Sequence, residues 1–327
     1  MKTKVVSLIL ALCMMATLAM AETSTNDSHY PVTVTTYGPS NGEVVEQVFE
    51  EAPERIISVS QANTELLIGL GLADKIVGTA HTTSEPYGPT AEVYKSLNYI
   101  TDTTDAYPSK EVVLSLEPDI IFGWGSLFAE DDLGAVQYWH EKGIHTYLMK
   151  NTVSGLGENR NFGWLVDDIR AIGAIFNIED KTDALIVEIE SKLNAISERT
   201  KDIPMEERPT VFTVQMVREN EFFARASTDL SADIVRLAGG NCLDETYGYQ
   251  SMENLIAKDP DVILVINRTT KPAADTIAAL KANSSLQNLK AIKNDNFYVL
   301  DHASFYCGSM RTIEDITGLA EKLATFE

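Results

Sequence analysis

Basic side chains are in short supply in this chain of 327 residues: 26 lysines and arginines stand against 48 aspartates and glutamates, a net charge of −22. That balance argues against nucleic acid and anionic lipid surfaces as partners, because both need clustered positive charge. Cysteine is scarce as well, with three in all. The two distal ones, Cys242 and Cys307, lack zinc-ligand spacing, and a disulfide between them stays open because the sequence does not fix their separation. The one long apolar run, Val5 to Met20, follows Lys2 and Lys4 and ends in Ala19-Met20-Ala21. It is too short to span a bilayer and reads as a signal peptide over residues 1–21, cleaved after Ala21, so the mature protein is exported and soluble. Cys13 follows Leu12 rather than a small residue, which argues against a lipid anchor there. Loss of the two leader lysines takes the net charge from −22 to −24. Such acidity suits a solvated exported surface, or carboxylates that dock a basic face of a membrane protein.

Catalytic motifs are missing too. The chain has no G-x-S-x-G, no phosphate loop and no H-E-x-x-H. His81, His145 and His302 with Asp301 could be imagined as a metal set, but His145 starts a strand and so faces the wrong end. An exported α/β hydrolase would need a nucleophile–base pair that the sequence does not offer.

What is present is organised around a helical block from Asn161 to Lys201. Glu179 and Asp180 suit the positive end of a helix dipole, and Leu185, Ile189, Leu193 and Ile196 form one apolar stripe. Ile203-Pro204 stops the run. About 22 residues at ~1.5 Å each make a rod of roughly 33 Å. Similar segments flank it: Leu116-Glu117-Pro118-Asp119-Ile120-Ile121 upstream and Lys258-Asp259-Pro260-Asp261-Val262-Ile263 downstream. Each is a short helix, an acid-Pro-Asp turn and a buried strand. Strands expected at 56–59, 75–79, 120–122 and 144–149, then at 210–214, 262–266 and 297–300, alternate with helices, which predicts mainly parallel sheets. Residues 31–49 read as an edge hairpin. The expected fold is therefore α/β, two Rossmann-like lobes joined by a long rigid helix. Its divisions are an N-terminal extension over 22–52, lobes over 53–176 and 204–327, and the connecting helix over 177–203.

Ligands of such sheets bind beyond the carboxyl ends of the strands. Loops there carry Gln61, Asn63, His81, Tyr87 and Trp124 in the first lobe, and Arg218, Arg225, Tyr249, Arg268, His302, Phe305 and Tyr306 in the second. An aromatic and cationic set in an acidic chain suits a large flat or catecholic anion, with rings stacking and guanidiniums neutralising charge. Ordinary alternatives exist. Arg225 could flank a helix, Arg268 could sit in a surface ion pair, and Asn63, Thr64 and Glu65 could cap a helix. Arg311 reads as structural, at a helix start.

From Pro53-Glu54-Arg55-Ile56-Ile57-Ser58-Val59 through Ser60-Gln61-Ala62-Asn63-Thr64-Glu65-Leu66-Leu67, with the two Pro-Asp strands, the chain resembles the periplasmic substrate-binding proteins of ABC importers for iron-siderophores, haem and cobalamin. The likeness runs from Pro53 to the C-terminus. It implies a monomeric, non-enzymatic carrier without covalent cofactor, a ligand held between lobes, and docking on permease subunits driven by a cytoplasmic ATPase. Glu130, six residues after Trp124, has the spacing of a permease-docking glutamate in the cobalamin-binding relative. Val265-Ile266-Asn267-Arg268 and Leu300-Asp301 to Tyr306 are more similar to the catecholate siderophore binder, whereas Asn63-Thr64-Glu65-Leu66 and Trp124 are more similar to the cobalamin binder. The expected cargo is an iron(III)-siderophore, with cobalamin or haem as the alternative and His81 or His302 as a possible axial ligand.

Overall fold

A computed structural model of the protein describes residues 29–39 and 42–326. The signal peptide expected over 1–21 lies outside the described residues. Two strands, β1 (Val32–Tyr37) and β2 (Val44–Phe49), form an antiparallel hairpin. The N-terminal lobe follows as β3 (Ile56–Val59), α1 (Gln61–Gly69), β4 (Ile76–Ala80), α2 (Ala91–Ser96), α3 (Lys110–Ser115), β5 (Ile120–Gly123), α4 (Val136–His140) and β6 (His145–Leu148). Its sheet is wholly parallel in the order β4-β3-β5-β6. All four residues of β3 and of β5 are buried, as expected for strands covered on both faces.

Two helices, α5 (Phe162–Phe176) and α6 (Glu179–Thr200), lead to the C-terminal lobe. That lobe comprises β7 (Thr210–Arg218), β8 (Glu221–Ala224), α7 (Leu230–Leu237), β9 (Asn241–Cys242), β10 (Gly248–Ser251), α8 (Met252–Lys258), β11 (Val262–Asn267), α9 (Ala273–Ala282), α10 (Lys290–Lys293), β12 (Phe297–Asp301), α11 (His302–Tyr306) and α12 (Thr312–Leu323). Strands β7, β11 and β12 are parallel, and β8 and β10 add an antiparallel edge. From the sequence no strand is expected at 221–224, and His302 to Tyr306 are expected in a loop. In the structure Glu221–Ala224 is a hairpin strand and His302–Tyr306 is a helical turn. Segments of four or five residues carry too little periodicity to separate these outcomes.

The acid-Pro-Asp repeat has one structural role in both lobes. Asp119 Oδ2 accepts the backbone N–H groups of Glu54 and Arg55 at 2.7 and 2.9 Å. Asp261 Oδ2 accepts the N–H and hydroxyl of Thr210 at 2.9 and 2.7 Å. Each aspartate thus fixes the chain entering the strand beside its own. Glu117 and Asp259, two residues before, both adopt left-handed backbone (φ 45° and 38°), which ends the preceding helix sharply enough for the proline.

Helix α5 is capped by Asn161, whose side chain accepts from the Trp164 N–H at 3.2 Å, and ends at Asn177 in the left-handed region. Helix α6 buries Thr182, Ile186, Ile189 and Ile196. At its start the Lys181 ammonium reaches the Leu70 carbonyl at 3.5 Å, and at its end Arg208 donates to the Thr200 carbonyl at 2.9 Å. The helix therefore touches both lobes. Among the described residues, Cys242 and Cys307 are both free. Among the described residues, no helix is long and apolar enough to cross a membrane.

Candidate functional site

Strand geometry brings the polar and aromatic loops together. Ser60 and His81 follow β3 and β4 directly, and both hold positive φ (99° and 60°), an uncommon conformation for residues with a side chain. Their backbones are tied by the Ser60 N–H to the Ala80 carbonyl and the Gln61 N–H to the His81 carbonyl, at 3.0 and 3.1 Å. His81 is thereby turned towards Trp124, which follows β5; the ring centroids are 5.0 Å apart. From the other lobe α11 supplies Tyr306, 4.7 Å from Trp124, and His302, 5.7 Å from both Trp124 and Tyr306. Trp124 is 4 % exposed in this cluster.

Both histidines are neutral at physiological pH. Burial pushes His81 down to about 4, with Arg268 adding to the fall and Asp105 opposing it. Burial pushes His302 down to about 3, helped by the charges of Arg268 and Arg225. Among the described residues, no group of three or more His, Cys, Asp or Glu side chains could hold a metal ion.

Beside the aromatic cluster lies a cavity of about 390 Å³ between the lobes, lined by Arg160, Trp164, Arg225, Asp229, Tyr247 and Tyr306. Arg225 Nη2 sits 2.9 Å from Asp229 Oδ2, and Arg160 Nη1 is 3.6 Å from Asp229 Oδ1. One carboxylate thus serves two guanidiniums at the inner wall, while Glu158 lines the same cavity as a second carboxylate. The Arg225 guanidinium also lies 4.9 Å from the centroids of Tyr247 and Phe305, and that of Arg160 lies 5.3 Å from Tyr306.

Of the residues picked from the sequence, His81, Trp124, Arg225, His302, Phe305 and Tyr306 meet here. Arg268 lies beside them but is paired across the cleft with Asp105. Arg218 and Tyr249 do not join this cavity; they line a separate depression of about 440 Å³ with Met216 and Lys271. Gln61 is consumed locally. Its oxygen accepts from the Thr83 and Ser84 N–H groups at 3.1 and 2.8 Å, and its amide donates to Glu65 at 2.9 Å. Asn63 donates to the Val59 carbonyl at 3.0 Å. Asn63, Thr64 and Glu65 lie buried inside α1, which Ser60 caps, so they are not capping residues. Tyr87 lies under Arg311, 5.1 Å from its guanidinium. Glu130 is exposed in the loop after Trp124.

Arg160, Trp164 and Asp229 escape the sequence reading. The loop after β6 is a strand-end loop like the others, and its Gly155-Leu156-Gly157 run was the available signal for Arg160.

A family model described as periplasmic binding protein matches residues 56–303. The chain belongs to the periplasmic binding protein family. It is a substrate-binding protein and not an enzyme. This periplasmic binding protein is similar to YvrC of Bacillus subtilis (strain 168), an uncharacterized ABC transporter substrate-binding lipoprotein, at 25 % identity over 298 residues, covering 90 % of this chain and 86 % of the relative. It is also similar to the Fe(3+)-citrate-binding protein YfmC of the same organism, at 24 % identity over 64 % of this chain and 62 % of YfmC. Among solved structures, a periplasmic binding protein from Veillonella parvula aligns with a TM-score of 0.78 and 24 % identity, over 90 % of this chain and 92 % of that one. The heme-binding protein RhuT from Roseiflexus aligns at 0.65 and 19 %, over 83 % and 98 %. These structural likenesses establish the fold.

Proposed function

We propose that this protein is the extracytoplasmic carrier of an ABC importer, capturing an anionic iron(III) chelate between its lobes. The observation that carries the reading is the pair Arg160 and Arg225, sharing Asp229 beneath Tyr306, Tyr247 and Phe305. Planar guanidiniums over aromatic rings suit carboxylate, hydroxamate or catecholate donors wrapped around iron. At about 390 Å³ the cavity lies near the low end of the roughly 300–1,000 Å³ of small-molecule sites. That size supports a compact chelate over a macrocycle as large as cobalamin. The similarity to a relative named for Fe(3+)-citrate points the same way.

In this reading the signal peptide is cleaved after Ala21, and Glu130 meets a cation on the permease, which a cytoplasmic ATPase drives. Titration of the mature protein with ferric citrate, a ferric catecholate, haemin and cyanocobalamin, followed by tryptophan fluorescence, tests it. Saturable quenching at sub-micromolar ferric chelate is the expected result; saturation by cyanocobalamin alone would end the proposal.

Haem is the second reading, because neutral His81 and His302 flank Trp124 with their Nδ1 atoms unpartnered. A haemin Soret shift that His302→Ala abolishes would favour it.

A further inference from the structure

Arg268 stands where β11 ends, and its guanidinium crosses the cleft to Asp105, in the N-terminal-lobe loop before α3. The same Asp105 oxygen lies 3.3 Å from His81 Nε2. Main-chain bonds brace this contact: the Thr82 N–H donates to the Thr104 carbonyl at 2.6 Å, and the Thr269 N–H crosses the lobes to the Thr83 carbonyl at 2.8 Å. Three polar atoms around the pair, Arg268 Nε, His81 Nδ1 and His302 Nδ1, are buried without a hydrogen-bond partner. Buried polar atoms are ordinarily satisfied, so such a group beside an ion pair marks a place shaped for further polar atoms.

We propose that Asp105 is a built-in competitor for the ligand: it occupies Arg268 and ties the lobes together, and an anionic group of the ligand takes its place. This rests on the anionic-chelate reading and deepens it by naming what the ligand must displace. An anionic group on Arg268 re-pairs the guanidinium and leaves only Asp105, which is 30 % exposed, to be solvated by water. A neutral ligand would break the Arg268–Asp105 pair and leave two part-buried charges uncompensated. Asp105 therefore selects for negative charge by penalising its absence.

The test uses the full mature chain and its Asp105→Asn and Arg268→Ala variants, titrated with ferric citrate. Amide exchange at Thr269 is followed without added chelate. Asp105→Asn is expected to bind ferric citrate roughly 10-fold more tightly, a change of about 1.4 kcal/mol, and Arg268→Ala more weakly. Both should speed exchange at Thr269. Unchanged or weaker binding by Asp105→Asn overturns the proposal. If no protein binds any ferric chelate, the functional reading fails by itself, and Thr269 decides the inter-lobe tie: faster exchange in both variants upholds it and unchanged exchange removes it.

Discussion

Arg311 and Glu65, from opposite lobes and 246 residues apart in sequence, form a buried two-point ion pair, with Nε donating to Oε2 at 3.1 Å and Nη2 to Oε1. Asp301 takes the remaining arm of the guanidinium. Burial pushes the Glu65 carboxyl up, while Arg311 and Gln61 pull it back. Removing one member leaves a buried charge alone, so Arg311→Ala should cost about 3–5 kcal/mol. The double variant Glu65→Leu with Arg311→Met should recover much of that. Urea unfolding of the three proteins checks this, and a double variant as unstable as the single one would refute it.

Charge in the cavity should be felt at Arg225 and Arg160 and not at Arg218. Losing a charge-assisted hydrogen bond is worth about 1.5–3 kcal/mol, so Arg225→Ala or Arg160→Ala should weaken ferric citrate binding roughly 10- to 150-fold. Arg218→Ala, in the separate depression, should change it less than about 2-fold. Isothermal titration calorimetry distinguishes the two sets.

Ligand quenching should come from two of the three tryptophans. Trp124 joins the aromatic cluster and Trp164 lines the cavity, whereas Trp139 is buried in the N-terminal-lobe core with its indole N–H on the Leu133 carbonyl at 3.0 Å. Trp139→Phe should leave the absolute loss of emission intact and so raise the fractional quenching, and the double Trp124→Phe, Trp164→Phe protein should show almost none.

Stability should pass through a maximum in mildly acidic solution. His81 and His302, held near about 4 and about 3 against an ordinary value of about 6.5, refuse protons that the unfolded chain takes up. Their contribution is lost as pH falls from about 6.5 through those values. Asp168, pushed by burial up to about 8, and Asp315, up to about 7, act oppositely. The folded state keeps their protons where the unfolded state has released them, so stability falls as pH rises towards 8. Above about 6.5 the histidines are silent. Tm should therefore drop between pH 6.5 and 8, and Asp168→Asn should flatten that slope; an equal slope in the variant would exclude Asp168 as its source.

Gly239 meets the end of α6. Its φ is +88°, and an added Cβ would stand 2.6 Å from Thr200 Cγ2. Gly239→Ala should destabilise by roughly 1–3 kcal/mol. Adding Thr200→Ser should restore only part of that, because the methyl contact is relieved and the backbone strain remains. Full restoration would show that φ costs nothing here.

The alternating elements, the 22-residue helix α6 and the paired acid-Pro-Asp turns are legible in the residues alone, because periodicity, proline and strand composition act within about ten residues. The residues also locate most of the strand-end loops, since chain direction in a parallel sheet places them on one rim. Which protein groups those side chains pair with follows from long-range packing alone. Arg268 is held by Asp105, 163 residues away, and Arg311 by Glu65, while Gln61 is spent on its neighbours. Arg225 and Arg160 converge on Asp229 from different elements. A guanidinium's availability depends on which carboxylate the fold brings within about 4 Å, and that distance is set by the packing of two lobes across a helix, not by any local pattern of residues.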